Sequence, residues 1–323
     1  MKCILNSNTD PYFNLAAEEY VLTHYPDDVF MLWRNDKSVI IGKYQNSAAE
    51  INMDFVRENH VKVVRRMTGG GAVFHDLGNV NFTFIDSSGE GDFRSFTLPI
   101  LQVLKQLGVP AQFEGRNDLT INGQKFSGNA QCIHHGRILH HGTLLFSSEM
   151  SDLTAALNVN PLKFSDKAVK SVRKRVTNIS EHLPTPMTVS QFIDAVMQFV
   201  TERHPDAERY DFTEEDLRQI RKLRDEKYAT WEWNFGTSPH FDFSQTIRTP
   251  GGNLEVGLSV RQGRIEALRI CGDFFSRADL SELEQALIGQ VYHEEKLRQV
   301  LSKIEIGRYI CNATADDLLK ALF

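Results

Sequence analysis

The stretch RRMTGGGAVFHDLGN, residues 65–79, sets Gly69, Gly70 and Gly71 between two arginines and a histidine–aspartate pair. A glycine run loses much conformational freedom on folding and weakens a plain strand. It makes sense where a ligand lies against the main chain, whose bare N–H groups can donate to an anion. Arg65 and Arg66 would point to opposite faces of an extended chain, so one of them could meet a phosphate or carboxylate with its planar fork. The spacing is neither G-x-G-x-x-G nor the Walker pattern. A glycine-rich turn or bulge is the competing reading.

A second constellation is GRNDLTINGQKFSGNAQ, residues 115–131. Asn122-Gly123 is the strongest short hairpin signal, because both central residues need positive φ. Lys125 follows that turn by two residues, so a rigid hairpin would hold its ammonium group. Ser127 and Gly128 leave room for close approach beyond it. A lone strand lysine is ordinarily a solvated charge, but this one sits among small residues downstream of an anion-suited glycine run.

The elements that must carry these groups are legible in part. Asp10 suits a helix cap and Pro11 a first helical position, and Phe13, Ala16, Ala17, Tyr20 and Val21 recur on one face. Short β-rich runs follow at residues 29–33, 38–42 and 61–65. Residues 79–86, NVNFTFID, alternate polar and apolar, the pattern of a strand covered on one face. Helical periodicity appears at 96–107, 189–201 and 214–228, and strands are expected at 118–131 and 140–147. Residues 162–179 carry Lys163, Lys167, Lys170, Arg173, Lys174 and Arg175 with few large apolar residues, which predicts a basic loop. From about residue 246 the texture changes to two strands around Gln262-Gly263 and helical segments at 280–287, 294–301 and 314–322. The mixture lacks a strict βαβ rhythm, so the expected fold class is α+β, with mixed β-sheets packed with helices. A boundary near residue 245 predicts two units, 1–245 and 246–323, with Pro239 and Pro250 flanking a hinge.

Bulk properties narrow the function classes. The net charge of −6 argues against a general nucleic-acid footprint, so any nucleotide site must be local. No apolar run of about 18 residues predicts a membrane helix, and the opening residues predict no signal peptide. Cys3, Cys132, Cys271 and Cys311 are scattered without metal-type spacing, which reads as reduced thiols in the cytoplasm.

Taken together, RRMTGGGAVFHDLGNVNFTF, GRNDLTINGQKFSGNAQ, HHGTLLF, SVRKRVTN and WEWNFG resemble the lipoate–protein ligase A family, in the family's order, from about residue 6 to 236. The remaining segment has the size of that family's accessory domain. The resemblance implies a biotin/lipoate ligase-like catalytic domain and a two-step reaction: lipoate, or octanoate, and ATP with Mg2+ form lipoyl-adenylate, and a carrier lysine then displaces AMP. It implies that Arg66, Gly71, Ala72, Val73 and Phe74 bind ATP. Lys125 matches the essential lysine that touches both the lipoyl carboxyl and the α-phosphate. Gly70, Trp33, Ser127, Gly128, His141 and Gly142 are expected along the lipoate slot, although Trp33 and His141 equally suit core positions. Asp118 is expected to hold Mg2+ or cap a strand start, with Asn117 beside it. His75 and Asp76 fit a supporting role or turn caps.

The basic loop resembles the family's adenylate-binding loop, and WEWNFG a clasp with buried indoles. The partners implied are apo lipoyl domains of 2-oxoacid dehydrogenase E2 subunits or a glycine-cleavage H protein, modified by a monomer. The rival is an ATP-independent lipoyl or octanoyl transferase of the same fold, which needs a nucleophilic cysteine. Cys132 is the nearest candidate, and the basic loop has none. A biotin ligase would show a GRGRR-type loop, which is absent. A catalytically dead binding protein of this fold is argued against by intact Arg66, triple glycine and Lys125.

Overall fold

The computed structural model describes residues 1–89, 91–157, 176–236 and 241–323. The strands are β1 (Lys2–Leu5), β2 (Val29–Trp33), β3 (Ser38–Ile41), β4 (Lys62–Arg65), β5 (Val73–His75), β6 (Asn79–Asp86) and β7 (Ala111–Glu114). They continue with β8 (Asp118–Ile121), β9 (Gln124–His134), β10 (Arg137–Leu145), β11 (Glu208–Arg209), β12 (Phe243–Thr249), β13 (Gly252–Arg261) and β14 (Arg264–Gly272). Among the described residues they form three sheets. The largest has the order β11-β1-β2-β6-β10-β9-β8-β7; the others are β4-β3-β5 and β12-β13-β14. β1 runs parallel to β2 and β11, and β3 to β4, while the remaining pairs are antiparallel, so the sheets are mixed as expected.

Two layers cover the large sheet. Helices Phe93–Gln106 and Val189–Arg203 pack on one face against Phe30, Leu32, Phe82 and Phe84. Helix α1 (Pro11–His24) covers the other with Phe13, Ala17 and Val21 against Met31, Trp33 and Ile85. β6 therefore departs from the expected half-exposed strand. Its polar residues Asn79, Asn81 and Thr83 are at most 1% exposed, because α1 and the small β4-β3-β5 layer lie over them. Asp10 occupies the cap position of α1, but its carboxylate makes no cap bond. It pairs instead with Lys62 at 2.9 Å and Arg224 at 2.6 Å, tying the helix start to β4 and to the turn after Glu214–Leu223.

The C-terminal sheet packs Leu254, Val256 and Leu258 against helices Leu280–Leu287, Glu294–Leu301 and Ala315–Leu322. The Gln262-Gly263 turn has positive φ at both residues, as a tight hairpin requires. No helix among the described residues is long and apolar enough to cross a membrane.

WEWNFG holds two parts of the chain together. Arg65, 1% exposed, donates to the carbonyls of Gly42, Lys43 and Gln45 and to those of Trp233 and Asn234. Trp233 Nε1 returns a bond to Arg65 O at 2.8 Å. Trp231 corrects the expectation of buried indoles: it is 66% exposed, stacked on Phe235 at the surface.

Candidate active site

A cleft of about 650 Å³, partly open to solvent, lies between α1, the glycine loop and the β9–β10 hairpin. Trp33, Leu15, Ile40 and Val73 give it apolar walls. Arg66, Gly70, Gly71 and Ala72 form one rim, and Lys125, Gly128, His141 and Gly142 the other. Tertiary folding thus gathers motifs from four separate stretches.

Lys125 is placed by two devices. Asn122 and Gly123 have φ of 51° and 76°, giving the tight β8–β9 turn. Next comes a bulge: Thr120 faces Lys125 but Leu119 faces Ser127, leaving Phe126 as the extra residue. Phe126 drops into the core, 0% exposed. A regular strand would set Lys125 and Ser127 on one face. The bulge instead turns Lys125 and Gly128 together into the cleft, and Ser127, 1% exposed, is carried away to accept a bond from Asn129. Ser127 is therefore corrected from a lining residue to a brace. Thr177 N donates to Lys125 O at 3.0 Å, so the end of the basic stretch sits on the same strand. The six basic residues named above in that stretch lie outside the described residues, as does Pro239.

Lys125 Nζ meets Asp118 Oδ1 at 2.8 Å, with both side chains well exposed. A Cβ at Gly128 would lie 3.0 Å from that ammonium nitrogen. Gly128→Ala is therefore expected to fold normally but to push Nζ aside by a few tenths of an ångström. Misplacement on that scale should lower the activation rate about tenfold, read by ATP–pyrophosphate exchange beside an unchanged melting curve.

The three glycines divide their work. A Cβ on Gly69 would meet Phe274 O at 2.3 Å, and Gly70, at φ 90°, donates its N–H to the same carbonyl. Those two are bare chiefly because the C-terminal unit seats on them. Around Gly71 a Cβ would meet nothing within 4 Å, so only this glycine opens fully on the cleft. Arg66 lies under the loop, donating to Gly69 O at 2.6 Å and Gly71 O at 2.9 Å. Burial pulls its pKa down to about 10. Its fork shapes the loop instead of standing free for a ligand. Phe74 packs its ring in the core beside Val39, which leaves its backbone alone for any cradle.

Asp76 caps a turn, accepting from Gly78 N and Glu149 N. His75 belongs to the cleft. Its Nδ1 accepts from Asn35 Nδ2 at 3.0 Å, an orientation set by Asn14 donating to Asn35 Oδ1, so the ring proton is on Nε2. Burial first, then Arg66 and His141, lower its pKa to about 3, which keeps it neutral. His75 Nε2 and Asn81 Nδ2 are buried without a partner among the described residues, and both residues line the cleft. A ligand oxygen or a water in the cleft would satisfy both donors. Asn81 escaped the sequence reading, as did Leu15, Ile40 and Asn129. The one available signal for Asn81 was the polar alternation of NVNFTFID, which marks the site's own face of β6.

Cys132 lines a different crevice, with Arg116 and Phe275 between the two units. Burial, and after it the Glu18 carboxylate, push its thiol up to about 12.

Comparison with known proteins gives the family and the fold. Residues 10–201 match the family model of the lipoyl protein ligase A/B catalytic domain, and residues 238–322 that of the bacterial lipoate protein ligase C-terminus. The chain is 42% identical to lipoate-protein ligase LplJ of Bacillus subtilis over the whole of both chains. Its fold is similar to P. falciparum LipL1, solved in complex with lipoate (TM-score 0.79, 28% identity, covering 99% of this chain and 97% of that one). A lipoate-protein ligase A bound with ATP matches with TM-score 0.64 at 28% identity, covering 73% and 98%. A bi-partite lipoate protein ligase from Thermoplasma acidophilum, studied with its E2 lipoyl domain, matches with TM-score 0.66 at 32% identity, covering 75% and 98%. With three of its motifs, RRMTGGGAVFH, GRNDLTINGQKFSGNAQ and HHG, meeting in one cleft and matches running the length of the chain, this protein belongs to the lipoate–protein ligase family.

Proposed function

We propose that this protein activates free lipoate, or octanoate, with ATP and transfers the acyl group to a lysine of an apo lipoyl domain. The carrying observation is the bulge-aimed ammonium of Lys125 at the mouth of a cleft with apolar walls and a glycine rim. A free carboxylate and an amine form a salt, not an amide, so activation must come first. A carboxylate oxygen of lipoate attacks the α-phosphorus of ATP and pyrophosphate leaves. The carrier amine then attacks the acyl carbon, and AMP departs with the bridging oxygen.

Lys125 offsets the repulsion between two anions brought together and stabilises the charge that develops between them. Arg66 holds the loop from Gly70 to Val73, and the backbone through Phe74, against the nucleotide. His75 Nε2–H and an Asn81 Nδ2 proton donate to ligand oxygens. Trp33, His141, Gly142 and Gly128 wall the acyl slot. For Mg2+, Asp118 offers one carboxylate beside the phosphate-binding lysine. That fits an ion held mainly by nucleotide phosphates and water, and supplies charge neutralisation when bound. Among the described residues no cluster of three or more His, Cys, Asp or Glu could hold a metal by protein alone.

We further assign a catalytic unit and an accessory unit, with the boundary moved from the expected 245 to just before Phe243 so that β12 (Phe243–Thr249) stays whole. We take the carrier to be an E2 lipoyl domain or an H protein, and the enzyme to work as a cytoplasmic monomer. Incubation of apo carrier with ATP, lipoate and Mg2+ should add one lipoyl mass, and omission of ATP should abolish it. Transfer without ATP would instead point to the transferase. The Cys132 thiol, held protonated and outside the cleft, is a poor nucleophile. Cys132→Ala is expected to keep the full acylation rate in the same assay, and lost turnover would overturn the ligase assignment.

A further inference from the structure

Glu18 sits in the apolar run FNLAAEEY of α1 and is only 3% exposed. A carboxylate so far from water is costly unless donors meet it. Thr83 Oγ1 donates to its Oε1 at 2.6 Å, and His141 Nδ1 lies 2.9 Å from the same oxygen. The chain extends both ways. Trp33 Nε1 donates to Thr83 Oγ1 at 2.9 Å. His141 Nε2 stands 2.8 Å from Thr68 Oγ1, which accepts from Arg66 Nε at 3.0 Å.

Placing one proton on each donor gives this chain a single direction. An ionised Glu18 takes the Thr83 hydroxyl proton and the His141 Nδ1 proton. That leaves His141 Nε2 bare, and Thr68 donates to it while its oxygen accepts from Arg66. Every hydrogen then has an acceptor. The order carboxylate–imidazole–hydroxyl resembles a nucleophile triad. Thr68, however, is 0% exposed and its oxygen is already engaged, so the hydroxyl is a strut and His141 has no free lone pair for base work.

We propose that Glu18 is a positioning residue for acyl activation. It holds His141 as the Nδ1–H tautomer and, through His141 and Thr68, locks Arg66 beneath the glycine loop. The acyl wall, Trp33 and His141, is thereby tied to the loop that receives the nucleotide. This rests on the reading of the cleft given under Proposed function.

Two variants and one spectrum test it. Glu18→Ala removes both acceptor oxygens, and its kcat/KM for ATP in lipoate-dependent pyrophosphate exchange should fall about 10- to 100-fold, mostly through KM. Glu18→Gln keeps Oε1, the oxygen nearest to both donors, and loses only the longer 3.1 Å contact of Oε2 with His141 Nδ1, so it should restore most of the rate. Thr68→Val breaks the far end with little change in shape and should raise the KM for ATP likewise, which covers the case of an unfolded Glu18→Ala. Nitrogen-15 histidine spectra of the free enzyme, with His141 assigned by its loss in His141→Gln, should show the Nδ1–H tautomer. An Nε2–H tautomer in the wild type, a Glu18→Gln as impaired as Glu18→Ala, or a Thr68→Val with unchanged KM would each overturn the proposal. Absence of lipoate-dependent exchange in the wild type would instead overturn the reading of the cleft, because the spectra report on the strut alone.

Discussion

Lys125→Ala is expected to lose lipoate-dependent ATP–pyrophosphate exchange by about 10²–10³, the usual effect of removing a preorganised charge stabiliser. The fold should survive. Both members of the Lys125–Asp118 pair are more than a third exposed, and such pairs contribute at most about 1 kcal/mol. The backbone at this position is held independently by the turn at Asn122-Gly123 and by the bond from Thr177 N. Loss of exchange with an unchanged melting temperature would therefore locate the defect in chemistry. Exchange at the wild-type rate would remove Lys125 from the reaction. The variant should also fail to acylate an apo carrier from ATP and lipoate, since the second step has no adenylate to consume.

The neighbouring arginine predicts a large effect of another kind. Arg65→Ala should cost about 3–5 kcal/mol of stability, because it leaves several buried acceptors unpaired at about 1–3 kcal/mol each, partly relieved by relaxation. Burial lowers the Arg65 pKa to about 10, yet no carboxylate is among its hydrogen-bond acceptors, which are backbone carbonyls and Ser47 Oγ. Truncation strands those acceptors in a dry site and frees the segment around Asn234 from the loop after Gly42. Against a total stability of about 5–15 kcal/mol, such a loss should move the urea midpoint sharply or leave the variant insoluble. An unfolding free energy, from midpoint and slope, within about 1 kcal/mol of wild type would show that the clasp is not held by this guanidinium.

The two arginines illustrate where sequence reasoning stopped. Alternation correctly predicted opposite faces, and the chemistry of either residue suited an anion. Which face met the cleft depended on β3, β5 and residues 231–236, up to 169 positions away along the chain. The glycine run was likewise legible as a close approach, but the partner for Gly69 and Gly70 proved to be Phe274 of the C-terminal unit. Glu18 passed unnoticed because nothing in a helix sequence distinguishes a surface carboxylate from one that will be covered by β6 and β10. Trp231 failed in the opposite sense: its aromatic character suggested burial, yet it is exposed and stacks on Phe235 of its own segment.

Local chemistry was enough for the turns, for most strands and helices, and for the lysine and several glycines that line the cleft. Positive-φ preferences, proline placement and hydrophobic periodicity act over a few residues and survive in any context. Long-range packing chose between Ser127 and Gly128 as the companion of Lys125, between Arg65 and Arg66 as the cleft arginine, and buried Glu18 against His141 of the cleft wall. One extra residue in β9 reverses which side chains face inward, and that bulge exists only because Phe126 has a core to enter and β8 to pair with.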